Sequence, residues 1–297
     1  MLIRLVPFAF VLLWSTGFIG ARYGLPWIEP FHLLLLRMLL TLAVFLGLIL
    51  IFQAKWPNRH QAGHQMVVGL LVHAGYLGGV FAAIKLGLPA GVTALIVGLQ
   101  PIFTALLARV VFAQRLLALQ WFGLLIGLVG VSLVLGSGFA EKSFTVHPAA
   151  LAAAFVALIC ISVGTLYQKK HGGGTDLLTD SFFQYLSTIL AMAVLTFAFE
   201  SGEVVWHPQL IGALLWLVLG LSVSAILLLM LMIRLGEVSR VASYFYLVPP
   251  LTALEAWWLF DEQLSVLALL GILITVAGVY LTLRRPTTVL ADKPADH

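Results

Sequence analysis

Charge is what this sequence has least of. Only 9% of its 297 residues are Asp, Glu, Lys or Arg, while 62% are hydrophobic. A soluble domain carries about 25% charged residues. A chain this poor in charge cannot cover a water-facing surface, so lipid must be the solvent for most of it. Cysteine is nearly absent too. The single Cys160 excludes an intrachain disulfide and a thiolate metal site, and reads as a small buried thiol. Long polar stretches are missing, which leaves no room for a soluble catalytic or nucleic-acid-binding module. No Gly-rich loop followed by Lys-Ser/Thr is present to cradle a nucleotide, and neither Gly-x-Ser-x-Gly nor His-Glu-x-x-His occurs. Direct ATP drive and hydrolytic chemistry thus have no motif, and no cofactor is expected. His60 and His64 stand four apart with no further metal ligand near them and read as part of a solvated loop.

What is present is a succession of apolar runs of the roughly 20 residues that cross a bilayer. Ten are read, at 3–23, 31–52, 66–85, 91–113, 119–136, 147–168, 178–199, 208–233, 239–260 and 264–283. Polar, charged or Gly/Pro-rich connections such as KKHGGGTD and ESGEVVWHP separate them. The first run is too long for a signal peptide and ends without a small-residue cleavage pattern, so it reads as a retained helix. The fold class is therefore an all-α integral membrane protein of ten transmembrane helices.

Cytoplasmic loops retain Lys and Arg. With the N-terminus inside, the outer side keeps only Arg22, Lys85 and Lys142, and Arg37 lies within a helix. All other Lys and Arg fall inside. Both termini are expected to be cytoplasmic.

The chain also repeats itself. Leu86-Gly87 matches Leu235-Gly236, and Pro101 matches Pro250. After a one-residue deletion, Phe112, Leu116, Gly123, Gly130 and Val131 match Phe260, Leu264, Gly271, Gly278 and Val279. A weaker match joins Leu39 and Thr41 to Leu186 and Thr188. Each repeat holds five helices, an odd number, so the second copy enters from the opposite side. The charges agree: the Lys55 and Arg59 loop corresponds to Glu200 and Glu203, and the Gln114-Arg115 turn to Asp261-Glu262. The expected boundaries are 1–138 for the first repeat, 145–285 for the inverted second, and 286–297 for a cytoplasmic tail. Inverted repeats generate inward- and outward-open states by one motion, the logic of alternating access.

The LLWSTGFIGARYGLP opening, Arg37 in the second span and the paired Pro, Phe-(x)3-Leu and Gly-(x)6-Gly-Val elements resemble the EamA-type family of the drug/metabolite transporter superfamily. The resemblance spans essentially the whole chain. It implies a carrier of small organic solutes, such as amino acids, nucleobase-like compounds or drugs, in a bacterial inner (cytoplasmic) membrane, exporting them by alternating access. Proton-coupled antiport and uncoupled facilitated exchange both fit. A channel would want a ring of charges or carbonyls at a filter, and an intramembrane enzyme a clustered nucleophile and base. Neither pattern is present.

Certain residues stand out as transport candidates. Pro101 and Pro250 break the fourth and ninth spans at matching places, and such paired interruptions mark binding sites in carriers; a plain packing kink is the alternative. Glu255 is expected about 8 Å deep and Arg37 about 9 Å deep, at roughly 1.5 Å per residue. Either Glu255 carries a proton or the two form an ion pair. Arg37 also has the planar fork that binds a carboxylate. Trp14, Ser15, Thr16, Gln100 and Tyr246 share mid-depth, and Tyr244, Thr252 and Glu255 share one stripe. Aromatic faces with a few hydrogen-bonding groups suit an amphipathic metabolite, although such residues also glue helices together. His73 and Tyr76 share a face of the third span, where a hydrogen-bonded core histidine competes with a titrating one. Gly75, Gly79 and Ala83, with Gly123 and Gly127, form small-residue stripes for close packing within the chain or a homodimer contact. The expected partners are a small-molecule substrate, protons and membrane lipid, with no nucleic acid and no metal.

Overall fold

The structure is a computed structural model that describes residues 5–86, 88, 93, 96–114, 116–136, 147–236, 238–260 and 265–283. Its helices are α1 (Val6–Gly24), α2 (Pro30–Phe52), α3 (Arg59–Lys85), α4 (Gln100–Phe112), α5 (Ala118–Gly136), α6 (Pro148–His171), α7 (Leu177–Phe199), α8 (Pro208–Leu235), α9 (Val238–Ser243), α10 (Val248–Phe260) and α11 (Val266–Leu283). Seven of these, α1, α2, α3, α6, α7, α8 and α11, are long and apolar enough to cross a membrane. The β pairing among the described residues is a single bridge, Ile28 to Val204. Large apolar side chains cover the outer surface, with Phe197 84% and Val110 82% exposed. Lipid solvates such a surface; water does not. The turns at Arg115 and Asp261-Glu262, and the 286–297 tail, lie outside the described residues.

Two expectations about helix ends change. The third span begins at Arg59 and not near residue 66, because Asn58 and Gln61 form a capping box: each side chain accepts from the other's backbone N–H. His60 and His64 therefore stand on a helix and not in a solvated loop. The prolines do not kink helix interiors. Pro101 sits in the first turn of α4. Pro249 and Pro250 sit in the first turn of α10, just after a 3-10 turn at Tyr244–Leu247. Proline is tolerated there because its missing N–H has no helical acceptor anyway.

Two further spans are interrupted as well. Within α3 the stretch Gly69–Gly75 is wound as a π-helix, and within α8 so is Leu217–Ala225. Side chains of α7 enter both stretches. Thr188 Oγ1 donates to the Gly69 carbonyl at 3.1 Å and Ser187 Oγ to that of Met66 at 2.8 Å. Tyr185 donates to the Ser222 carbonyl at 2.9 Å. A donor inserted into the helical ladder frees the turn from its usual pairing.

Close packing decides which helices meet. α5 and α11 are the tightest pair, and glycine sets their distance. A Cβ on Gly278 would lie 2.3 Å from the Gly127 nitrogen, and one on Gly123 would lie 2.7 Å from the Gly278 carbonyl oxygen. The Gly75, Gly79 and Ala83 stripe is used within the chain: α6 fills it, with Ala153 and Cys160 against Gly79 and Gly75. Other contacts pair α2 with both α7 and α8, α3 with both α6 and α7, α1 with both α8 and α10, and α4 with both α6 and α9.

Candidate functional site

One group gathers between α1 and α10. Ser15, fully buried, donates to Glu255 Oε1 at 2.6 Å and to the Leu12 carbonyl at 2.8 Å. Thr252 donates to the Ser15 carbonyl at 3.3 Å. Thr16 accepts from Trp216 Nε1 at 2.9 Å. Glu255 Oε2 is buried and has no partner. Below this group the rings of Phe10, Trp14 and Phe245 pack at centroid distances of 5.2 and 5.3 Å. They continue into a cleft of about 190 Å³ lined by Val6, Met232, Arg240, Val241 and Tyr244, among others. The cleft reaches Tyr244, the first residue of the 3-10 interruption.

A second group lies between α2, α3, α7 and α8. Arg37 Nε donates to Ser222 Oγ at 2.7 Å. His73 Nε2 hydrogen-bonds Gln184 Oε1 at 3.3 Å and its ring stacks on Tyr185 at 4.7 Å. Tyr76 and Tyr185 are the electrostatic neighbours of Arg37. Gln184 Nε2 donates to Gln65 at 2.8 Å and to Gln168 at 3.2 Å. A small void of about 10 Å³ touches His73, Thr165, Gln168 and Gln184, room for about one water.

Of the expected site residues, the structure joins Ser15, Thr252 and Glu255, sets Trp14 in the ring cluster beside Phe245, turns Thr16 to Trp216 on α8, and separately joins Arg37, His73 and Tyr76. It does not bring Arg37 and Glu255 together: one binds Ser222 and the other Ser15. Tyr246 leaves the first group, packing on Ala105, Leu124 and Val279 with its ring 2.7 Å from where a Gly127 Cβ would stand. Gln100 is buried, its amide nitrogen unpartnered.

Charges close both ends of the bundle. On one face, Glu200 accepts from the first amides of α2, Phe31 at 2.8 Å and His32 at 2.7 Å. Lys85 lies 3.4 Å from Glu200 and 3.8 Å from Glu29. Glu29 accepts from the amide and hydroxyl of Ser201 and the amide of Gly202. These bonds, the Ser201 hydroxyl first, hold its carboxyl below the ordinary carboxylate range. Trp27 stacks on His207 at 3.9 Å. On the opposite face, Arg234 pairs with the fully buried Asp180, which also accepts from Thr175 at 2.7 Å. There His64 hydrogen-bonds Tyr167 at 2.6 Å and stacks on His171.

The EamA-like transporter family model matches residues 2–136 and again 148–284. The chain belongs to the EamA-like transporter family. This EamA-like chain is 28% identical over 281 residues to the uncharacterized transporter YdfC of Bacillus subtilis (strain 168), covering 91% of this chain and 87% of that one. It is 26% identical over 285 residues to a probable amino-acid metabolite efflux pump of Salmonella typhimurium (strain LT2), covering 91% of each. A crystal structure with 22% sequence identity superposes at a TM-score of 0.79, over 95% of this chain and 96% of the other. The protein is thus an all-helical integral membrane protein of a transporter family.

Several notable residues of this EamA-like protein escape a hydropathy reading. Asp180 and Arg234 look like span-end charges. Their signal was the register that aligns Leu86 with Leu235, because it also aligns Lys85 with Arg234 and His73 with Ser222. The Leu39–Leu186 register likewise sets Arg37 opposite Gln184. The two polar contacts of the second group, Arg37 to Ser222 and Gln184 to His73, are therefore repeat equivalents.

Proposed function

We propose that this protein is a secondary transporter that exports a small organic metabolite by alternating access between two inverted five-helix halves. The carrying observation is the cleft beside the Tyr244–Leu247 interruption, whose lining residues Val6, Val241 and Tyr244 pack in one cluster with Phe10, Trp14 and Phe245. Its lining of apolar side chains with Arg240 and Tyr244 suits an amphipathic solute, and the name of the Salmonella relative supports an amino-acid-like cargo.

Several observations support ten spans in two inverted halves; the Lys and Arg bias supports cytoplasmic termini, and the bacterial relatives support a bacterial cell membrane. The family model matches twice. The helix pairings map onto themselves when the halves exchange: α1 on α8 answers α6 on α3, and α1 on α10 answers α6 on α4. The π-wound stretches of α3 and α8 are repeat equivalents. The start of α2 meets the end of α7 at Glu200, and the end of α2 meets the start of α7 where Thr179 bonds the Lys55 carbonyl. α2 and α7 are thus antiparallel, as inverted equivalents would be. Lys85 and Arg234 are repeat equivalents, and each pairs with carboxylates at one face, Glu29 and Glu200 or Asp180, a pattern that suits two-state gating.

Glu255, with one oxygen on Ser15 and the other unpartnered, is the proposed proton carrier. The test is solute flux into vesicles holding the purified protein, with and without a pH gradient. Gradient-driven accumulation that Glu255→Gln abolishes, while exchange at equal pH persists, is the expected result. Flux indifferent to the gradient in the parent assigns uncoupled exchange.

A further inference from the structure

Arg37 is a cation held between four helices without a counter-ion among the described residues. It is 8% exposed. Its one hydrogen bond through the guanidinium is from Nε to Ser222. The ion pairs among the described residues, Lys85 with Glu29 and Glu200 and Arg234 with Asp180, all lie elsewhere. Its electrostatic neighbours are the phenols of Tyr76 and Tyr185 and the imidazole of His73. None of these is an anion at neutral pH. A buried charge costs several kcal/mol unless paired, and inside a membrane it points to function by default.

The repeat supplies an internal control. At the equivalent place in the other half, Gln184 stands where Arg37 would, and its donors are used: Nε2 bonds Gln65 and Gln168 while Oε1 bonds His73. The neutral copy closes on itself. The charged copy keeps two amino groups, with up to four N–H donors between them, and no acceptor for them among the described residues. Bundle packing accepts a neutral amide at this place, so packing alone does not call for a guanidinium.

We propose that Arg37 binds the carboxylate of the cargo, so that the transported solute is an organic acid or zwitterion with an apolar body. A guanidinium takes a carboxylate through two parallel N–H bonds. Trp14 connects this site to the cleft. It packs in the Phe10 and Phe245 cluster on one side and in the Tyr76 cluster on the other. A solute whose body lies against Trp14 sets its carboxylate toward Arg37. This assignment rests on the transporter reading, and names the chemistry of its cargo.

The test uses the purified full chain and pairs of carboxylates with their uncharged amides: hexanoate and hexanamide, phenylacetate and phenylacetamide, indole-3-acetate and indole-3-acetamide. Thermal shift and competition give the affinities. At least one acid is expected to bind about tenfold or more tightly than its amide. Arg37→Gln should erase that preference, and Arg59→Gln, at an exposed cation at the start of α3, should keep it. If Arg37→Gln does not fold, Arg37→Lys serves, with the preference reduced because the planar fork is lost. A panel in which no acid exceeds its amide overturns the assignment, as does a preference that follows Arg59. Stabilisation by chloride alone, measured against a sulfate background, also overturns it in favour of an inorganic-anion site. Solute flux in vesicles is read separately, so transport of uncharged solutes without acid preference removes the carboxylate and leaves the transporter.

Discussion

Removing Arg234 should unlock one face of the molecule. Asp180 is fully buried, and its Oδ2 takes both Arg234 and Thr175 while Oδ1 has no partner. Breaking a buried pair by deleting one member costs about 3–5 kcal/mol, because a bare charge stays behind. Arg234 is 22% exposed, so the low end applies, about 3 kcal/mol. At 1.4 kcal/mol per tenfold, the closed population of that face falls by about two orders of magnitude. Asp180→Asn strands only a partly exposed arginine that can turn to water, and should cost about 1 kcal/mol. The double variant strands nothing and should recover most of the loss. The readout is maleimide labelling of a reporter cysteine at Thr165, which lines the void above Ile233. The background is Cys160→Ser, since Cys160 is the chain's single cysteine. Arg234→Gln should speed labelling by about a hundredfold and the double variant by much less. A rate within twofold of the parent, or a double variant as fast as Arg234→Gln, refutes the reasoning.

Other parts of the fold give sharper structural tests. Gly278→Val places side-chain atoms where even a Cβ would be 2.3 Å from the Gly127 backbone, so α5 and α11 must part; a loss of about 1–3 kcal/mol or more should appear as a lower melting temperature in detergent. Glu200→Ala orphans the Phe31 and His32 amides. At about 1–3 kcal/mol per unsatisfied donor, a reporter beneath that face should label faster, with no change at Thr165. The Glu29 carboxyl titrates below its ordinary value of 4.5. Its contribution to closure is therefore complete above pH ~4.5 and lost as pH falls through its lowered pKa. Labelling beneath that face should accelerate on acidification in the parent and stay flat in Glu29→Gln.

Lipid makes spans legible, because each must be apolar over a fixed length, and the seven long helices fall where the apolar runs do. Ends are less legible. RHQAGHQ reads as a polar loop by hydropathy, yet the Asn58–Gln61 capping box starts a helix there. Proline announces an interruption without saying on which side the helix resumes, and Pro101 and Pro250 turned out to open helices. The site was half legible. Ionisable residues such as Arg37 and Glu255 stand out against apolar neighbours. Gln65, Gln168 and Gln184 do not, since amides barely move a hydropathy average, and they hold the polar centre of α3, α6 and α7. Pairing was not legible at all: similar depth suggested Arg37 with Glu255, whereas helix rotation sends each to a serine.

The two closures occupy equivalent places but are not equally strong, and that inequality gives the molecule a direction. At the Glu29 face, Lys85 is joined by the Glu200 cap on α2, the Ile28–Val204 bridge and the Trp27–His207 stack. At the Asp180 face, the Arg234 pair is joined by Thr175 and the stack of His64 on His171. Opening the first face breaks main-chain amide bonds across α2 and α7. Opening the second breaks side-chain bonds, two of them to the Thr175 and Lys55 carbonyls, and part of that cost returns as Arg234 and the histidines meet water. On the export reading proposed above, cargo-free protein should open more readily at the Asp180 face, the side on which the Lys and Arg bias predicts the cytoplasm. An exporter needs that resting bias, because its empty site must face the compartment that supplies the solute. Reporters of equal burial beneath each face should therefore label faster at the Asp180 end in cargo-free protein, and the reverse order would argue for uptake.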